Sequence, residues 1–133
     1  MFFRKFRTWD TSVKQLQGGA ISVQEFVNAH EKKVLYHTTP FFENGSGNHP
    51  NVLHTSDSDV MYFPAFTSIS ALREHMTAIS CAEHIIIRGD LKSVLASLDA
   101  HPLLQEWGVV IDPQSAHPAD IPPGIRVQPK CLR

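Results

Sequence analysis

The sequence predicts an α/β (α+β) fold, with a mixed β-sheet of about five strands and amphipathic helices packed against it in a single domain over residues 1–133. Three observations carry that prediction. Short β-branched or apolar runs alternate with segments of helical period, a pattern that builds layered α/β units. A length of 133 residues suits one domain with one core. The hydrophobic share of 42% and the charged share of 19% are those of a folding chain rather than a disordered one.

Residues 1–19 read as a lead-in, in which Asp10 is placed to cap a short helix carrying Val13 and Leu16 and ended by Gly18-Gly19. Ser22 and Glu25 form a capping box, each side chain accepting from the other's free backbone N–H. Val23, Phe26, Val27 and His30 follow on one face of that helix, expected over residues 22–33. Residues 34–39 are β-branched and aromatic and predict a strand. Residues 43–50 form a polar Gly/Asn loop that turns the chain at the sheet edge. Residues 52–55 and 60–63, separated by Asp57-Ser58-Asp59, predict a hairpin.

Ser68 is a good N-cap for a helix with the apolar stripe Ile69, Leu72, Met76 and Ile79. Ile85-Ile86-Ile87 is a short continuous apolar run, expected as a central strand buried on both faces. Gly89-Asp90 is expected to break it, with Asp90 capping a helix whose Leu91, Val94, Leu95 and Leu98 face inward until Pro102. Residues 108–111 predict a second core strand, closed by the Asp112-Pro113 turn, and residues 121–124 feed an edge strand at 125–128.

Four stretches resemble the N-terminal domain of the SseB family: Tyr62-Phe63-Pro64-Ala65-Phe66-Thr67-Ser68, Gly89-Asp90-Leu91, Gly108-Val109-Val110-Ile111-Asp112-Pro113 and Ile121-Pro122-Pro123. The first is the most distinctive, an aromatic-Pro-Ala-Phe-Thr-Ser junction from strand to helix. Asp112 and Gln114 stand where the family pattern has Asn and Gly around the proline. The resemblance implies an N-terminal-type domain working without the family's second domain. It implies no enzymatic activity, and its concrete functional association is with bacterial toxin–immunity loci.

Charge and composition exclude several classes. The net charge is -1, and the sole basic cluster, Arg4, Lys5 and Arg7, is too small for the stripe of a nucleic-acid binder. No apolar run reaches the roughly 18 residues of a membrane span. Residues 1–6 lack the apolar region of a secretion signal, so a cytoplasmic location is expected. Cys81 and Cys131 lie apart without a disulfide pattern, and reduced thiols fit that location.

The chemistry-bearing motifs are incomplete. Cys81-x-x-His84 is half a zinc site without a second pair, and His54, Asp57 and Asp59 lack the Gly and distal Glu of a calcium loop. Gly45-Ser46-Gly47 lies in a polar loop, not between a strand and a helix as a nucleophile elbow does. Asp90 places a negative charge at a helix N-terminus, hostile to phosphate. No catalytic residue, metal or cofactor is expected. The expected function is a non-catalytic protein-binding module, an immunity protein covering a cognate toxin. Its candidate contacts are Phe42, Glu43, Asp57, Asp59, Phe66, Thr67 and Asp112, with Phe66 also a candidate core plug. The alternative is a small-ligand regulatory domain linked to amino-acid metabolism, with its pocket near Thr67 and Asp112. Phe2, Phe3, Phe6 and Trp9 are hard to bury and leave a monomer or a homodimer open.

Overall fold

The computed structural model describes residues 8–54, 59–113 and 124–132. Helix α1 (Trp9–Gln17) is capped by Thr8, whose Oγ1 accepts from Thr11 N–H at 3.2 Å. Asp10, the expected cap, falls instead inside the first turn, where its charge complements the helix dipole. Helix α2 (Val23–His30) has the predicted capping box, with Ser22 Oγ and Glu25 Oε1 each accepting the other's N–H. Trp9 packs at 5.2 Å from both Phe26 and His30, which joins the lead-in helix to α2.

Strand β1 (Val34–His37) is followed by β2 (Phe41–Glu43) and β3 (Asn48–Pro50), an antiparallel hairpin that takes in most of residues 43–50, expected as a polar loop. The turn is as polar as expected: Asn44 Oδ1 accepts from Ser46 N–H, and Gly45 and Gly47 both adopt positive φ. Strand β4 (Tyr62–Ala65) leads into α3 (Ile69–Ala78), capped by Ser68. Strand β5 (Ile87–Asp90) runs directly into α4 (Leu91–Ala100), whose Leu91, Val94, Leu95 and Leu98 are all buried as predicted. Strands β6 (Gly108–Ile111) and β7 (Ile125–Val127) and a short 3-10 turn (Lys130–Leu132) complete the described elements.

The mixed α/β class stands, but the single sheet of about five strands does not. The described strands form three small sheets: antiparallel β1–β5, the β2–β3 hairpin, and β4–β6–β7, in which β4 runs parallel to β6 and β7 antiparallel. The first and third meet at one residue pair, where Tyr36 and Phe66 exchange backbone hydrogen bonds of 2.7 and 2.8 Å. That seam stays one pair long because the chain turns straight after Phe66 into the Thr67-Ser68 entrance of α3.

Three further expectations are corrected. The hairpin over 52–63 reduces to one bridge, Leu53 with Tyr62, while residues 55–58 of its turn lie outside the described residues. Ile85-Ile86-Ile87 is not a doubly buried central strand: Ile85 is 58% and Ile87 36% exposed, and Gly89-Asp90 belongs to β5 rather than ending it. Beside β5 the described strands supply one neighbour, β1, so Ile85 and Ile87 lie at the surface while Ile86 packs half-buried against the cluster of Phe66, Leu72 and Met76. In α3 the inward residues are Leu72, His75 and Met76, whereas Ile69, placed on the predicted stripe, is 39% exposed.

Alternation along β4 and β6 divides the interior. Phe63, Ala65, Val109 and Ile111 face the main core with α2 and α4, while Tyr62 and Val110 form a smaller cluster on the other side. Phe66 joins Leu72, Met76 and Cys81 in a third cluster, against which Tyr36 and Phe42 pack. Gly108 permits the tightest approach: a Cβ there would lie 2.5 Å from the Val127 carbonyl oxygen and 2.8 Å from the Tyr62 ring. Among the described residues, no helix is long and apolar enough to cross a membrane.

Candidate functional site

Two concavities collect most of the residues singled out in the sequence. The first is a groove of about 410 Å³ between the β2–β3 hairpin and residues 81–85. Phe41, Phe42, Glu43, Cys81, Glu83 and Ile85 line it. The hairpin is held over it by local bonds: Thr39 Oγ1 donates to the Phe41 carbonyl at 2.7 Å, and Asn44 Nδ2 reaches across to the Ile79 carbonyl at 3.3 Å. The Cys81 thiol is buried and faces the carbonyl oxygens of Glu43 and Glu83 at 3.6 and 3.3 Å. His84 Nδ1 lies 3.0 Å from the Cys81 carbonyl and must carry the ring proton to donate there. Both groups thus fasten the groove wall through backbone carbonyls. Cys81 and His84 act here as struts, and no third His, Cys, Asp or Glu joins them in a metal-holding group among the described residues.

The rim is apolar above an acidic pair. Phe41 is 43% exposed and rests against Trp107 at 5.9 Å, Ile85 is the most exposed of the three consecutive isoleucines, and Glu43 and Glu83 are both exposed. From Ile85 the chain continues into β5, whose outer edge has no strand partner among the described residues. Tyr36 spends its own N–H and C=O on Phe66, so its pairing with Arg88 is the non-hydrogen-bonded kind. By the same alternation, the N–H and C=O of Arg88 point away from β1.

The second concavity, a cleft of about 260 Å³, opens where β4 and β6 end. Thr67, Ser68, Ala71, Glu74, His75 and Asp112 line it, with Phe66 and Pro113 completing the wall. Asp112 holds it together. Its two carboxylate oxygens accept from Thr67 N–H at 2.9 Å and from Thr67 Oγ1 at 2.7 Å, and its own N–H donates to the Ala65 carbonyl at 2.9 Å. Asp112 adopts φ 52°, a left-handed conformation that Asp tolerates better than most residues. His75 is buried against Phe66 with ring centroids 5.3 Å apart, and its Nε2 has no hydrogen-bond partner. Burial lowers the His75 pKa and keeps the imidazole neutral near pH 7.

The structure therefore places Phe42 and Glu43 in the groove, and Phe66, Thr67 and Asp112 in the cleft. Phe66, at 2% exposure, is a core plug that reaches the cleft only as wall. Asp59 is exposed and lines neither concavity, and Asp57 lies outside the described residues. Sequence reasoning missed Glu74, His75 and Ile85. For His75 the available signal was its position three residues after Leu72 and beside Met76, on the stripe that the helix actually buries. No protein-family model, curated protein or solved structure matches the chain.

Proposed function

We propose that this chain is a non-catalytic protein-binding module that takes an extended segment of its partner along the outer edge of β5. The carrying observation is the coincidence of an open backbone edge at Arg88 with exposed apolar side chains, Ile85 at 58% and Ile87 at 36%. Edge strands of this kind recruit a further strand, whose backbone gives affinity and whose alternate side chains give specificity. Phe41 and Phe42 supply the apolar floor beside that edge, and Glu43 and Glu83 favour basic residues flanking the docked segment. The resemblance to the SseB N-terminal domain makes a bacterial toxin the partner and this chain its immunity protein, acting by steric cover.

Co-expression with the product of the neighbouring gene, followed by gel filtration, tests the proposal. The expected result is a stable complex lost in Arg88→Pro, which removes the outward N–H while leaving the β1–β5 bonds of Ile87 and Gly89 in place. Ile85→Ser should weaken the same complex. A complex that survives both changes would refute the docking mode, and absence of any complex would remove the toxin reading.

A further inference from the structure

We infer that the cleft between the first turns of α3 and the Asp112-Pro113 turn binds a small protonated amine. This site lies apart from the β5 edge and stands independently of the partner-binding proposal. Its position is set by topology. Parallel β4 and β6 both end here, and the chain leaves one for α3 and the other for the Asp112 turn, which opens a crevice beyond the strand ends.

Charge selects the ligand. A helix N-terminus ordinarily favours an anion, but Asp112 already fills that place, its carboxylate taking both the N–H and the hydroxyl proton of Thr67. Glu74 adds a second carboxylate to the lining, and the described lining residues include no Lys or Arg. A phosphate or carboxylate entering the cleft would meet two like charges. A cation meets two opposite ones. The lining groups do not form a cluster of three His, Cys, Asp or Glu able to hold a metal ion among the described residues, so a divalent ion lacks its ligand set.

Polar stoichiometry points the same way. An ammonium carries three donors and no acceptor. Each Asp112 oxygen uses one lone-pair site on Thr67 and keeps another, and Glu74 is exposed with no hydrogen bond or ion pair among the described residues. His75, 6% exposed, lines the same cleft, and its Nε2 is a buried polar atom without a hydrogen-bond partner beside Phe66. Neutral imidazole adds no positive charge to oppose an ammonium. The volume of about 260 Å³ admits a compound of amino-acid size.

Titration of the 15N-labelled full chain with n-butylammonium chloride, followed by amide spectra, tests the site, with sodium butyrate as the matched anion. Butylammonium should shift the Thr67, Ala71 and His75 signals saturably in the millimolar range, and butyrate should leave them in place. Glu74→Gln, an exposed change that spares the core, should weaken binding about threefold, the scale of one exposed charge pair. Asp112→Asn should weaken it further. Absence of saturable shifts, equal shifts from both salts, or unchanged affinity in Glu74→Gln would each overturn the inference.

Discussion

Asp112 offers the sharpest test of how the two parallel strands are tied to α3. Its carboxylate accepts two bonds from Thr67, at 2.9 and 2.7 Å, from a half-buried position. Hydrogen bonds to charged groups contribute roughly 1.5–3 kcal/mol each, and partial exposure places these at the lower end, about 3 kcal/mol for the pair. The backbone adds a second term. At φ 52° an alanine is strained relative to glycine by about 1 kcal/mol. Asp112→Asn keeps one acceptor and tolerates the left-handed conformation, so it should lose about 1–2 kcal/mol. Asp112→Gly should lose about 3 and Asp112→Ala about 4 kcal/mol. With a urea dependence of about 2 kcal/mol per molar, the alanine midpoint should fall by roughly 2 M. Equilibrium urea unfolding followed by fluorescence measures all three. An alanine variant as stable as the glycine variant, or either within about 0.3 M of the parent midpoint, would show that the junction does not depend on this residue.

Burial lowers the folded-state pKa of His75, so the unfolded chain binds the extra proton and stability declines as pH falls below about 6.5 through that lowered value. The slope is bounded by about 1.4 kcal/mol per pH unit, the value for one proton, and His75→Phe should remove this contribution in urea titrations repeated from pH 7.5 to 5. Gly108→Ala forces a Cβ to within 2.5 Å of the Val127 carbonyl oxygen, and thermal unfolding should report a loss of about 1–3 kcal/mol. Ser22→Ala deletes half of the α2 capping box and should cost about 1 kcal/mol by the same measurement. Leu72→Ala, at a fully buried position against Phe66 and Met76, should cost about 2–5 kcal/mol.

Much of the local structure was legible because its causes are local. Ser22 and Glu25 satisfy backbone groups within one turn, Ser68 and Asp90 do the same for α3 and α4, and four leucine and valine positions mark the inner face of α4 without reference to anything else. The β6 strand was equally plain, since four consecutive buried residues need cover on both faces. The candidate sites were legible only in part. Phe42 with Glu43, and Thr67 with Asp112, were picked out as loop and junction chemistry, and the structure seats each pair in a concavity.

Ile85-Ile86-Ile87 shows where the reading failed. An apolar triplet predicts burial when nothing else is known, because composition reports affinity for an interior and not which interior is available. The sequence by itself determined the helices, the caps of α2, α3 and α4, the β6 core strand and the mixed α/β class, all consequences of contacts within a few residues. Only the tertiary structure decided that the sheet divides at the Tyr36–Phe66 pair, that β5 has β1 as its one strand neighbour among the described residues, and that His75 and Asp112 line one cleft. Those outcomes depend on pairings between distant segments, where backbone hydrogen bonds are chemically alike for every residue and side-chain pattern alone does not select the partner.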